Sequence, residues 1–140
     1  MTTSNADLRD WVDAVAALTK PARIHWCDGS DAEYQGLVAE MQKSGDLIAL
    51  NQKTYPNCYL HRSNPSDVAR VEHLTFVCTN DRDAAGPNNN WMAPAQAHQK
   101  MDELFAGTMQ GRTLYVIPYC MGPIDSPYSR CGVEITDSAY

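Results

Sequence analysis

Segments in which apolar residues recur at helical spacing alternate along the chain with short extended runs, and this alternation restricts the possible folds most. Ser4 or Asn5 can cap a first helix, Ser30 and Glu33 stand in capping-box register for a second, and Pro94 can begin a third. A residue that breaks or ends helices follows each of them: Pro21, Gly45 and Gly107. The third helix is expected to turn four apolar residues inward: Ala97, Met101, Leu104 and Phe105.

Extended segments lie between and after these helices. Arg23–Cys27 is short and mixed, Leu74–Cys78 alternates, and Gly132–Thr136 predicts a last strand. Leu114–Ile117 is a continuous apolar run, which is typical of a strand covered on both faces. We therefore expect a mixed α/β fold of three helices and roughly five to six strands, with a mixed sheet flanked by the helices and the Leu114 strand at the centre of that sheet.

The chain is expected to form one domain over residues 1–140, because its 140 residues contain no repeat, charge block or Gly/Ser linker. The last strand is followed by only a few residues up to Tyr140, without a further helix or cap. This ending looks cut, which predicts an incomplete domain.

Charge and hydropathy argue against two classes of function. The net charge is −6 and no window collects basic residues, so a nucleic-acid-binding protein is not expected. The apolar runs are far shorter than the ~20 residues that span a bilayer, and no signal peptide is recognisable. Five cysteines without a CxxC pair suit a reducing compartment, so we expect buried free thiols and a cytoplasmic protein.

Arg70 is the first candidate for a binding residue. Pro65 favours an extended residue before it, and Ser66 or Asp67 can cap a single helical turn that ends at Arg70. A guanidinium on such a stiff element could clamp a carboxylate or phosphate through two hydrogen bonds. Spacing alone nevertheless favours an ordinary surface pair between Asp67 and Arg70.

Two histidine–cysteine pairs, His25 with Cys27 and Cys58 with His61, supply the ligand types of a tetrahedral zinc site. Their spacing matches no zinc-knuckle pattern, so core thiols and partly exposed imidazoles are the preferred interpretation and no metal ligand is predicted. The sequence also lacks GxxxxGK[ST] and GxGxxG, the glycine-rich loops that cradle phosphates. We accordingly predict no catalytic residue and no cofactor bound by this chain.

Five segments together resemble the amino-terminal region of one enzyme family, the GTP-dependent phosphoenolpyruvate carboxykinases. They are His25–Ser30, Asp67–Glu72, Ala85–Met92, Gly111–Pro123 and Gly132–Ser138. The likeness runs through nearly the whole chain, and a run as long as Gly111–Pro123 in order with the others is highly specific.

The resemblance implies a parent enzyme that converts oxaloacetate and GTP to phosphoenolpyruvate, GDP and CO2 in gluconeogenesis, with manganese at the site and magnesium on the nucleotide. It implies that Arg70 binds the substrate's carboxylate and that Glu72 contacts a lid that closes over the site. The nucleotide and metal machinery of the family belongs to later parts of its chains. The isolated piece is therefore expected to be inactive, with the rest of the parent enzyme as its partner.

A second interpretation stays open at this point, in which the chain is a free-standing small binding or assembly domain without catalytic activity. Truncation would leave an open sheet edge or an apolar face, so self-association through that surface is also expected.

Overall fold

The computed structural model of the chain describes residues 3–65 and 71–140. Within them lie three α-helices and seven strands: α1 (Ala6–Thr19), β1 (Arg23–Trp26), α2 (Asp31–Ser44), β2 (Ile48–Ala49), β3 (Tyr59–Leu60), β4 (Phe76–Val77), β5 (Asn90–Trp91), α3 (Pro94–Phe105), β6 (Thr113–Met121) and β7 (Arg130–Thr136). This confirms the mixed α/β class and the three predicted helices. No described helix is long and apolar enough to cross a membrane.

The chain divides into two compact units. The first, called the sheet unit, runs to Arg62 and resumes over Gly107–Tyr140. The second, called the loop unit, is Ser63–Ala106. Whether the two constitute one domain stays a prediction.

The sheet unit is built on a three-stranded sheet in the order β1-β6-β7. β1 pairs parallel with β6, with Arg23 opposite Thr113, and β7 pairs antiparallel with β6, with Tyr115 opposite Thr136. The prediction of a central strand is confirmed, because β6 lies between the other two strands. A separate antiparallel pair joins β2 to β3.

Three consecutive residues of β6, Leu114, Tyr115 and Val116, are buried. Neighbouring side chains of a strand point to opposite faces, so burial of all three means that both faces of β6 are covered. Leu114 and Val116 form the core with Val12 of α1 and with Met109. Further side chains pack partly buried against this core, among them Leu8, Val15, Trp26, Val133 and Ile135.

Local sequence explains where the first helix begins and ends. The Asn5 side chain accepts a hydrogen bond from the Leu8 N–H at 3.1 Å, which caps α1 as predicted. At the other end Lys20 adopts a left-handed conformation, with φ 56°, and donates its N–H to the Ala16 carbonyl. Pro21 follows, and proline cannot continue a helix.

Apart from α3, the described part of the loop unit contains little regular structure. β4 and β5 form a two-residue parallel pair, and short 3-10 turns cover Glu72–Leu74 and Arg82–Ala85. α3 begins at Pro94 as predicted, but the expected inward face is wrong for three of its residues. Met101, Leu104 and Phe105 are 45%, 62% and 46% exposed.

Candidate functional site

Of the two residues implicated by the resemblance, only Glu72 can be placed. Arg70 lies outside the described residues, together with Asp67, so its role stays a prediction. Glu72 is the first residue of the 3-10 turn Glu72–Leu74, and its side chain is exposed.

The backbone around Glu72 is held by side-chain hydrogen bonds. The Thr75 hydroxyl donates to the Val71 carbonyl at 2.9 Å. The Asn90 amide of β5 donates to the Glu72 carbonyl at 3.0 Å and to the Thr75 carbonyl at 3.2 Å. Asn90 therefore fastens β5 to the segment that begins directly after Arg70. No local signal in residues 85–91 of the sequence shows which asparagine reaches across to another segment.

A cleft of about 700 Å³ opens beside this contact, within the loop unit. Its lining combines aromatic, charged and amide side chains: Phe76, Trp91, Arg82, Asp83, Asn89 and Asn90. Two hydrogen bonds fix one wall, from the Trp91 indole N–H to the Thr79 carbonyl at 2.9 Å and from the Asn89 amide to the Ala85 carbonyl at 2.7 Å. The lining places an aromatic wall beside one guanidinium, that of Arg82, and one carboxylate, that of Asp83, so the cleft offers both signs of charge to a small molecule.

A second group of reactive side chains lies in the sheet unit, where His25, Cys27 and Glu33 place their ligand atoms within 4.8 Å of one another. His25 Nε2 lies 2.7 Å from Glu33 Oε1. The Glu33 carboxylate also accepts hydrogen bonds from the Gly29 N–H at 2.8 Å and from the Asp28 N–H at 3.1 Å. The predicted capping box is therefore only half correct. The Ser30 hydroxyl does accept from the Glu33 N–H, but the Glu33 carboxylate binds the preceding turn instead of the Ser30 N–H.

The electrostatics of this group follow from burial and hydrogen bonding. Burial alone would raise the pKa of Glu33, but the bonds from Gly29, His25 and Asp28 outweigh it and hold that pKa below its usual range. Burial, and then the charge of Glu33, raise the pKa of the Cys27 thiol. The Cys27 thiol is neutral, and both oxygens of the Glu33 carboxylate are already hydrogen-bonded. Such a group is typical of a structural link, here between β1 and α2, and we call these contacts of Glu33 the Glu33 latch.

The two histidine–cysteine pairs considered for zinc do not meet among the described residues. His25 and Cys27 lie together, whereas Cys58 is exposed, as are Cys78 and Cys131, so the expectation of buried thiols is wrong for these three. His61 stacks on Tyr140 with a ring distance of 3.6 Å and donates Nδ1–H to the Asp46 carbonyl at 2.7 Å. Among the described residues, the side chains that could hold a metal ion together are those of His25, Cys27 and Glu33. The spacing of residues in the sequence did not identify Glu33 as a member of that set.

Comparison with known proteins identifies the family. Residues 10–140 match the family described as "Phosphoenolpyruvate carboxykinase N-terminal domain". The chain belongs to this family. The resemblance seen in the sequence is thereby confirmed for nearly the whole chain.

Among the relatives of this carboxykinase domain is phosphoenolpyruvate carboxykinase [GTP] of Anaeromyxobacter dehalogenans, strain 2CP-C, which is 55% identical over 138 residues, 99% of this chain and 23% of the relative. The enzyme of the same name from Chlamydia muridarum is 51% identical over 137 residues, 98% of this chain and 23% of the relative. The chain thus spans less than a quarter of the length of these relatives. It corresponds to a domain of such enzymes, and the larger part of their length lies outside it.

Proposed function

We propose that this chain is the substrate-binding amino-terminal part of a GTP-dependent phosphoenolpyruvate carboxykinase, which converts oxaloacetate and GTP to phosphoenolpyruvate, GDP and CO2. The observation that carries the proposal is the 55% identity over 99% of the chain to a phosphoenolpyruvate carboxykinase [GTP]. Such identity, without large gaps in coverage, supports a shared role of the domain as well as a shared fold.

Arg70 is the residue proposed to bind the substrate, through its carboxylate. A planar guanidinium can form two parallel hydrogen bonds to a carboxylate, which fixes the orientation of the substrate as well as its position. Correct orientation of a substrate that passes through an enolate lowers the barrier to reaction. The hydrogen bonds of Asn90 to Glu72 and Thr75 support this role, because they restrain the chain two residues beyond Arg70.

Glu72 is proposed to contact a lid that closes over the occupied site. Its exposed carboxylate sits on a short turn whose backbone Asn90 holds, so the side chain is presented outward from a restrained base. A closed lid would exclude water, which could otherwise protonate the enolate and release pyruvate.

GTP, manganese and magnesium are proposed to bind to parts of the enzyme outside this chain. The sequence has no phosphate-binding loop of the GxxxxGK[ST] type. The one described ligand cluster, His25, Cys27 and Glu33, includes a thiol and does not suit manganese, which prefers oxygen ligands. The chain alone should therefore not catalyse phosphoryl transfer.

Exposed apolar side chains support a partner for this chain. Met101 and Leu104 lie on one side of α3, and Ile124 and Tyr128 in the loop after β6 are each 87% exposed. We assign each of these two groups of side chains, one in each unit, to contact with the rest of the parent enzyme, in the cytoplasm. When the 140-residue chain is produced alone, the exposed apolar side chains should cause self-association, which sedimentation over a dilution series would reveal; a monomer at every concentration would contradict it.

The decisive experiment compares Arg70→Ala with Arg62→Ala in the full-length enzyme. Arg62 is an exposed arginine of the neighbouring segment and serves as the matched control. Arg70→Ala should weaken the binding of oxaloacetate and phosphoenolpyruvate by at least about 30-fold, since loss of a charged hydrogen-bonded partner costs roughly 2 kcal/mol or more. GTP affinity should hardly change in either variant. Unchanged substrate affinity in Arg70→Ala would contradict the assignment.

Glu72→Gln separates the lid role from substrate binding. The variant should leave substrate affinity nearly intact while increasing the ratio of pyruvate to phosphoenolpyruvate among the products. Product analysis measures this directly, and an unchanged ratio with full activity would argue against any contact of Glu72 with a lid.

A further inference from the structure

Two of the five cysteines, Cys120 of β6 and Cys131 of β7, are direct partners in the antiparallel register. Side chains at opposed positions of an antiparallel pair lie on the same face of the sheet, with Cα atoms about 4.5–5.5 Å apart. A disulfide requires Cα atoms roughly 4.4–6.8 Å apart. The backbone of this strand pair therefore already has the spacing of a disulfide.

The two thiols are also close enough to interact. Burial is the main cause of the raised pKa of Cys120, and a hydrogen bond with Cys131 and the charge of Cys131 add to it. Cys120 is half-buried and donates its thiol hydrogen to the Gly122 carbonyl at 3.6 Å, whereas Cys131 is exposed. The Cys131 thiol is thus accessible to a reagent in solution, and the Cys120 thiol is less accessible.

The remaining three cysteines have no such neighbour in the described strands. Cys27 faces Glu33 and His25, and Cys58 and Cys78 are exposed outside the strand pairings. Proximity thus favours a single pairing within this chain.

We propose that Cys120 and Cys131 form a reversible disulfide across β6 and β7 when the protein meets a hydroperoxide. The exposed Cys131 thiolate attacks a peroxide oxygen, an S–O bond forms as the O–O bond breaks, and the leaving alkoxide, or hydroxide from hydrogen peroxide, takes a proton from solvent to become an alcohol or water. Cys131 is then a sulfenic acid. The Cys120 sulfur attacks the Cys131 sulfur, the S–S bond forms, the S–O bond breaks, and the leaving hydroxide takes the Cys120 thiol proton and departs as water. The sulfurs together lose two electrons, the peroxide gains them, and a dithiol reductant reverses the step.

The bond would close a loop of about a dozen residues around Gly122–Ser129. This loop carries the exposed Ile124 and Tyr128, and it is already drawn together by the hydrogen bond from the Ser129 hydroxyl to the Pro123 carbonyl. A disulfide restricts the unfolded chain more than the folded one, so the oxidised hairpin should be harder to unfold.

Peptide mapping of the full-length protein tests this directly. Trypsin cuts after Arg112 and Arg130, so Cys120 and Cys131 fall on different peptides. After brief treatment of the folded protein with hydrogen peroxide and alkylation of free thiols, mass spectrometry without reductant should show these two peptides linked. The linked mass should be two hydrogens below the sum of the peptides, and dithiothreitol should separate them.

Cys131→Ser and Cys78→Ser provide the matched pair. Cys78→Ser should keep the linked peptides and the rise in Tm on oxidation, and Cys131→Ser should lose both. Two results would overturn the proposal. In one, peroxide oxidises Cys131 to sulfinic acid while Cys120 can still be alkylated; in the other, peroxide links Cys131 to another cysteine. The wild-type map alone decides it if a variant fails to fold.

Discussion

Different forces stabilise the sheet unit and the loop unit, each within itself. In the described part of the sheet unit six apolar side chains are buried, including Val12, Leu114 and Val116. In the described part of the loop unit Ala85 alone is buried, and the segment is held mainly by hydrogen bonds such as those of Asn89, Asn90 and Trp91. Arg70, the arginine proposed to bind the substrate, belongs to the loop unit. Segments with few buried contacts open and rearrange readily, which would suit the proposed binding and release of a ligand.

The largest test of this contrast is a pair of leucine truncations. Leu114→Ala empties a fully buried position and should lower the free energy of unfolding by about 2–5 kcal/mol. Leu104→Ala removes a side chain that is 62% exposed, and it should cost about 0.5 kcal/mol or less. Chemical denaturation measures both. Equal losses would show that the loop unit is stabilised by burial as strongly as the sheet unit.

Glycine substitutions sharpen the contrast within the sheet unit. Gly122 has φ +105°, and an added Cβ would lie 2.7 Å from the Ser129 Oγ. Gly122→Ala should therefore cost about 1–3 kcal/mol in strain. Gly36, inside α2, has open space around it and should gain about 0.5–1 kcal/mol as alanine, because alanine favours helices. Thermal unfolding should show opposite shifts in Tm, and a stabilised Gly122→Ala would contradict the strained geometry.

The loop unit has its own glycine for comparison. Gly86 also has positive φ, +79°, but an added Cβ would meet only the Asn89 amide at an ordinary 3.7 Å. Gly86→Ala should cost less than Gly122→Ala, since strain in the backbone is not joined by a clash. A larger loss of stability from Gly86→Ala would mean that the loop unit is the more rigid of the two.

The Glu33 latch predicts a dependence on pH. Its pKa is lower in the folded protein than in the unfolded chain, so its stabilising contribution is complete above the unfolded value near 4.5 and is lost as pH falls through the folded value. Glu33→Gln should lower the free energy of unfolding by on the order of 1 kcal/mol at neutral pH, and it should reduce the further loss of stability as the pH falls. Denaturation at pH 7 and at pH 3 measures this loss. An equal loss between the two pH values in the variant would assign it to other carboxyl groups.

The smallest effect is expected from the ion pair of Arg23 with Glu40. The two groups lie 3.2 Å apart, but their side chains are 54% and 55% exposed. A double-mutant cycle with Arg23→Ala and Glu40→Ala should give about 0.2–1 kcal/mol, decreasing with added salt. A coupling well above this range would mean that surface charges stabilise the sheet unit as much as its core.

The sequence predicted elements whose causes are local. Asn5, Ser30 and Pro94 mark helix starts, and the apolar run around Leu114 marks the central strand, because capping and periodicity depend on neighbouring residues. The buried face of α3 was wrong, because periodicity shows which residues share a side and not what covers it. The contacts of Glu33 with Asp28 and Gly29 depend on the left-handed turn at Gly29, and the pairing of Cys120 with Cys131 depends on strand register. Spacing favoured a surface pair for Arg70, and only the family resemblance suggested a binding role.

The parallel pairing of β1 with β6 has a consequence for synthesis on the ribosome. Arg23 and Thr113, which are hydrogen-bonded neighbours in the finished sheet, are ninety positions apart in the chain. β1 leaves the ribosome before β6, and it cannot pair with β6 while the whole of Ser63–Ala106 is translated. Contacts between such distant positions form slowly, because the intervening chain loses conformational entropy before the strand pairing stabilises it. Nascent chains stalled before Thr113 should therefore be digested readily by protease, and chains extended well beyond Thr136 should resist.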